Sequence, residues 1–298
     1  MPKARIKNYF HLHFLVFIAG FTAILGELIS IDAIPLVWFR MFIAAIIMFV
    51  YIKLMRIKIN IPARYIIRFC VAGVVIALHW ITFFGSIKVA NVSIALSMFS
   101  TGAFFASFIE PIIFKRKVIW YEILFGILVI VGVFIITRSE MKYLTGIILG
   151  ILSAFLSSLF AVINGKFLER NSATVISFYE FIGGVVFITL FIPIFGDGFS
   201  KEFFTLSISD YGYLFILASI CTAYAFIASV YIMNYISPYT VILTYNLEPV
   251  YGIVLALILF PESEKMTPQF YLGALIIITV VLFNGIIKNS KMIKRSVI

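Results

Sequence analysis

Apolar residues run through this chain in blocks of about twenty, separated by short polar connections. A helix needs about 20 residues to cross the hydrocarbon core of a bilayer. Ten blocks meet that length: 12–30, 33–52, 66–86, 92–113, 118–137, 144–164, 174–195, 211–234, 238–260 and 269–287. None is followed by a segment long enough to fold as a separate soluble domain. The pattern predicts an all-α polytopic membrane protein with ten transmembrane helices. The first block differs from a secretory signal, being too long, lacking a clear cleavage site and leading into further spans.

Composition agrees. The 298 residues are 63% hydrophobic and 12% charged, against about a quarter charged in soluble domains. Cys70 and Cys221 lie in apolar runs and read as packing residues rather than a disulfide. A net charge of +10 would suggest nucleic acid for a soluble protein. Here the basic residues crowd into alternate loops instead. Of 23 Lys and Arg, 17 fall on the side of the N-terminus: Lys3 to Lys7, Lys53 to Arg68, Lys115 to Lys117, Lys166 with Arg170, and Lys288 to Arg295. Five lie opposite (Lys88, Arg138, Lys142, Lys201, Lys265), and Arg40 sits inside a span. Positive charge marks the cytoplasmic side, so both termini are expected in the cytoplasm, with the chain in a cell (inner) membrane.

The chain also looks doubled. A shift of about 148 residues lays Phe83–Gly102 over Tyr231–Val250 with matching hydropathy and loop lengths. Residues 1–138 and 139–298 then form two five-helix repeats. Five is odd, so the second repeat enters the membrane from the opposite side. Inverted repeats of this kind can expose one central site to each side in turn.

The two halves, Pro35 with LVWFRMFIAA around Arg40, the LEPV of Leu247–Val250 and the charged loop before each half's last span together resemble the EamA-type, ten-span branch of the drug/metabolite transporter superfamily. The likeness covers nearly the whole chain. It implies a polytopic inner-membrane carrier, in a family with many exporters of amino acids or other small metabolites. One departure stands out. Where the family often has a proline in the fourth span, this chain has Thr101, with Glu110-Pro111 further along.

Candidate chemistry lies where polar residues interrupt the apolar runs. A carboxylate in hydrocarbon costs about 3 kcal/mol or more and survives where it faces a bundle interior. Glu248 is such a residue, flanked by Tyr245 and Asn246, with Pro249 removing a helix hydrogen bond beside it. Arg40 and Glu180 fall at equivalent places under a shift of 140, which invites an ion pair between the halves. His79 needs a partner within the bilayer. With Trp80, Phe83 and Phe84, and with Tyr224, Phe226 and Tyr231 of the eighth span, it would wall an aromatic cavity. Ser97, Ser100 and Thr101, and Ser153, Ser157 and Ser158, recur at helical spacing that suits close helix contact, with substrate hydrogen bonding as the second role. Gly126, Gly132, Gly146, Gly150 and Gly273 mark further contact surfaces.

No phosphate-binding loop, nucleophile elbow or metal-ligand spacing is present, so neither a cofactor nor a metal is expected, and ATP-driven transport within the chain is excluded. The expected function is a secondary transporter, not an enzyme. It would export a small organic metabolite, an amino acid or relative, with a proton as coupling ion; a homodimer is compatible with the pattern. Rival readings are a multidrug or cation efflux pump, an intramembrane lipid-modifying enzyme and a non-transporting membrane partner.

Overall fold

The structure is a computed structural model and describes residues 2–115, 117, 120–168, 170–195, 198–233, 235, 244–245 and 247–296. Among these the chain is helical throughout. In order the helices are α1 (Pro2–Leu28), α2 (Ala33–Leu54), α3 (Ala63–Val89), α4 (Val92–Phe99), α5 (Gly102–Phe114), α6 (Trp120–Ser139), α7 (Leu144–Leu168), α8 (Ala173–Phe195), α9 (Ile208–Ala218), α10 (Ala225–Met233), α11 (Glu248–Leu259) and α12 (Pro268–Ser296). Seven segments are long and apolar enough to cross a membrane, counting α4 with α5 as one. Three shorter apolar helices, Ile123–Ser139, Glu248–Leu259 and Pro268–Phe283, occupy the remaining blocks.

Helix α3 is the hub, packed against α7 and α8, with α2 against both α8 and α3, and α1 lying along α11 and touching α4. The larger core joins α1, α2, α3 and α8 with the stretch from α9 to α11. A smaller one joins α4, α6, α7 and α12. Helices α6 and α12 cross at Gly132 and Gly273, where a methyl on either would come within about 3 Å of the other's carbonyl oxygen. Small residues there let the backbones touch, which is how apolar helices associate where lipid gives no hydrophobic drive.

One span is interrupted within the described residues. Between α4 and α5 the helix breaks at Ser100 and Thr101, whose hydroxyls donate to Leu96 O (3.0 Å) and Met98 O (2.7 Å). At the equivalent place in the second half, α11 begins at Glu248 with Pro249 in its first turn. The sequence suggested a proline that weakens a continuous helix. It instead opens one, at a position where its missing N–H has no intrahelical acceptor to lose.

The end of the bundle away from the N-terminus, here the distal end, is tied by buried carboxylates that the sequence analysis did not single out. Glu264 accepts from Val92 N and Ser93 N at 2.9 Å each, at the start of α4, where Asn91 Oδ1 also accepts from Ile94 N. Glu140 accepts from Thr267 N (2.9 Å) and its hydroxyl (2.7 Å). Asp210 accepts from Ser30 N (2.7 Å) and Ser30 Oγ (2.6 Å) while forming a capping box with Ser207 at the start of α9. Lys88 Nζ donates to Ile29 O. A carboxylate at a helix N-terminus satisfies orphan amides and meets the positive end of the helix dipole.

Candidate functional site

Arg40 is 3% exposed and lies deep in the larger core. Its guanidinium carbon stands 3.8 Å from the centroid of the Trp80 ring and 5.5 Å from that of Phe84. Its Nε donates to Thr222 Oγ1 at 2.8 Å. A cation over a desolvated aromatic face gains about 2 kcal/mol, and the hydroxyl fixes the direction of the side chain. Beyond it lies Glu248, close enough for each charge to act on the other. Tyr245 is in turn within electrostatic reach of Glu248 and shares a 2.7 Å hydrogen bond with Ser229 Oγ. Asn246 lies outside the described residues. The start of α11 thus carries a carboxylate in its first turn, within electrostatic range of the fixed guanidinium.

Thr222 holds its place through an irregular stretch, residues Ser219–Tyr224, where the helix widens to a π turn between α9 and α10. Its hydroxyl donates to Leu217 O, five residues back, at 2.7 Å, and so turns a lone pair towards Arg40. Such widened turns gather at functional sites. The extra residue rotates the downstream face by about 100°, and this corrects the sequence expectation for Tyr224. That side chain is 41% exposed and its hydroxyl meets His11 Nε2 at 2.7 Å, away from Trp80. Tyr231 also points outward, beside Tyr235 (3.1 Å). Phe226 does turn inward, onto Phe181 (centroids 5.3 Å).

His79 finds its partner on α7. Nδ1 stands 3.0 Å from Ser153 O and 2.9 Å from Ser153 Oγ. A carbonyl only accepts, so Nδ1 carries a proton. The ring stacks between Phe99 (5.5 Å, 22°) and Phe160 (6.2 Å, 25°), and Phe83 packs edge-on to Phe99. Ser97 is buried with an unpartnered hydroxyl, whereas Ser158 bonds across to Gly102 O at 2.7 Å. These aromatics are closed up against one another. A groove of about 420 Å³ opens elsewhere, between α2 and α8, walled by Phe42, Ile46, Phe49, Phe178, Ile182 and their apolar neighbours.

The ion pair between Arg40 and Glu180 is not formed: neither Glu180 oxygen has a hydrogen-bond partner. The equivalence that suggested the pair explains its absence. Both residues lie seven positions into their helices, but α2 and α8 run antiparallel. Trp38 Nε1 donates to Thr189 Oγ1 (2.9 Å) near one end and Phe49 stacks on Phe178 (6.1 Å) near the other. That register puts Arg40 level with about Phe187 and Glu180 level with about Ile47, roughly 10 Å apart along the axis. In two antiparallel helices, residues equally far from their starts sit at mirrored depths. Glu180 instead has Asn164 of α7 as its polar neighbour.

Thr222 and Asn164 were missed because each is one ordinary polar residue in a polar-tolerant span. The cue was present for Thr222 in its place two positions before Tyr224, but the widened turn that aims it leaves no mark on the apolar pattern.

No curated protein matches the chain. A solved structure described only as a crystal structure of a protein shares the fold, with a TM-score of 0.63 at 12% identity over 91% of this chain and 95% of that one. The model of the EamA-like transporter family matches twice, at residues 9–138 and 144–286. With two matches that together take in nearly all of its spans, this chain belongs to the EamA-like transporter family, a branch of the drug/metabolite transporter superfamily.

Proposed function

We propose that the chain is a secondary carrier for a small zwitterionic metabolite, an amino acid or close relative, moved outward by alternating access. What supports this is Arg40, held over Trp80 on α2, together with Glu248 in the first turn of α11, each within electrostatic range of the other. A guanidinium suits a carboxylate and Glu248 suits an ammonium, so a zwitterion meets both groups at once. Carrier sites of this kind gather at interrupted helices near mid-membrane. Trp80, His79 and Phe83 supply walls that part when the site opens, and Tyr245 lies close enough to Glu248 to orient it. Both termini lie in the cytoplasm, from the basic loops on that side. The substrate enters from there.

A thermal-shift screen of the purified protein against a metabolite library tests the class. Zwitterionic amino acids are expected to raise the melting temperature of the wild type and not of Arg40→Ala. Stabilisation by anions alone, or by zwitterions equally in both proteins, counts against the proposal. The apolar groove between α2 and α8 favours a second reading, efflux of hydrophobic cations. In that case ethidium or tetraphenylphosphonium stabilises the protein and the effect survives Arg40→Ala.

A further inference from the structure

The carrier site leaves one titratable group unused. Glu180 is 0% exposed, lies within a membrane-spanning helix, and has neither oxygen hydrogen-bonded. Asn164, its polar neighbour, also has an unbonded buried Oδ1. An ionised carboxylate in that position is untenable, since burial without a partner costs several kcal/mol and such a group takes up a proton instead. A metal cation is no substitute. Hard cations need a cage of oxygen ligands, and among the described residues no cluster of three His, Cys, Asp or Glu exists to hold one.

The charged and titratable groups on the helices against α8 do not supply a counter-charge. On α2 these are Arg40, Tyr51 and Lys53; on α3 they are Arg64, Tyr65, Arg68, Cys70, His79 and Lys88; on α7, Lys166; on α10, Tyr231. Among the described residues none of them is hydrogen-bonded or ion-paired to the Glu180 carboxyl, whose polar neighbour is the Asn164 side chain, at the edge of hydrogen-bond reach. Cys70, the nearest by contact, gives its Sγ to Tyr179 O at 3.5 Å, and the Tyr179 hydroxyl donates to Ile59 O at 2.9 Å.

The turn that carries Glu180 is gripped on two sides. A methyl at Gly73 of α3 would fall 2.0 Å from the Glu180 carbonyl oxygen, and one at Gly184 would fall 2.1 Å from Met41 Cε of α2. Water cannot reach the carboxyl here without the helices parting. The adjacent Phe181, fully buried, lies 5.9 Å from the Trp80 ring, and Trp80 lies beneath Arg40. A shift of this turn therefore moves the floor of the Arg40 site.

We infer that Glu180, with Asn164, is a proton-binding site separate from the Arg40–Glu248 cluster, and that its loading is relayed to that cluster through Phe181 and Trp80. The proton adds to a carboxylate oxygen and leaves as the same proton, with no other bond made or broken. Glu180 lies seven residues from the start of α8, about 10 Å in from the end of the bundle that carries the N-terminus. That end is the nearer source of protons. The use of this site for coupling rests on the carrier proposal; its existence does not.

The test is infrared difference spectroscopy of protein in lipid vesicles across a pH series, with Glu248→Gln as background so that the carboxyl of the Arg40 cluster is silent. Trp80 fluorescence is read in parallel in a Trp38→Phe, Trp120→Phe protein. The expected result is a carbonyl band of an unbonded carboxylic acid at neutral pH, lost on alkalinisation, with a shift in Trp80 emission at the same midpoint. Both are lost in Glu180→Gln, and Asn164→Ala moves the midpoint while keeping the band. Absence of the band in the parent, its survival in Glu180→Gln, or a Trp80 titration unchanged by that substitution overturns the inference. Failure of amino-acid binding leaves all these readouts in place and strikes only the carrier proposal.

Discussion

Glu264 and Glu180 are both fully buried carboxylates, yet their surroundings are opposite. Glu264, at the distal end, accepts two backbone N–H groups at the start of α4. Glu180, embedded in α8 between α2 and α3, accepts none. Burial alone therefore says little about a carboxylate's role. Where amides and a helix dipole converge on it, the charge is held and the group acts as a structural clasp. Where nothing converges, the charge is costly and protonation is the ready escape, so the group is free to switch. The distal end, with Glu264, Glu140 and Asp210 each accepting two or more hydrogen bonds, is built from clasps.

Substitutions break the comparison in order of size. Glu264→Ala leaves Val92 N and Ser93 N without their carboxylate and should lower stability by about 3 kcal/mol, since hydrogen bonds to charged groups are worth about 1.5–3 kcal/mol each; chemical unfolding in mild detergent measures this. Gly73→Ala drives a methyl into the backbone of the Glu180 turn and should cost about 1–3 kcal/mol as overpacking, seen as a lower melting temperature. Asp210→Asn weakens the α9 capping box and the tie to Ser30, for about 1–2 kcal/mol, in the same assay. Glu180→Gln should change stability at neutral pH by less than about 0.5 kcal/mol, because an amide replaces an acid that is already neutral. A loss at Glu180→Gln as large as that at Glu264→Ala would erase the distinction.

The ten apolar blocks needed only length and hydropathy to be legible, since a bilayer demands both and loops of this size admit little else. Arg40, His79, Glu180 and Glu248 stood out because a titratable residue in an apolar run is costly wherever it lies. What sequence could not convey was direction. The partner of Arg40 depends on a widened turn at Thr222, and the separation of Arg40 from Glu180 depends on how far two antiparallel helices slide past each other. Tyr224 was misplaced by the same rotation that placed Thr222. The distal clasps escaped notice for another reason: Glu140, Asp210 and Glu264 lie at span ends, where a charge is ordinary in sequence, and only the fold reveals that each is buried.

The claim that Arg40 and Glu248 together receive a zwitterion is tested most directly by efflux of a labelled amino-acid mixture from proteoliposomes holding equal amounts of folded wild type, Arg40→Ala or Glu248→Gln. The account predicts that the wild type releases at least one zwitterionic amino acid and that each variant is slower by tenfold or more, equivalent to about 1.4 kcal/mol of lost transition-state stabilisation. Release at the wild-type rate by both variants, or no release of any zwitterion by the wild type, would contradict it.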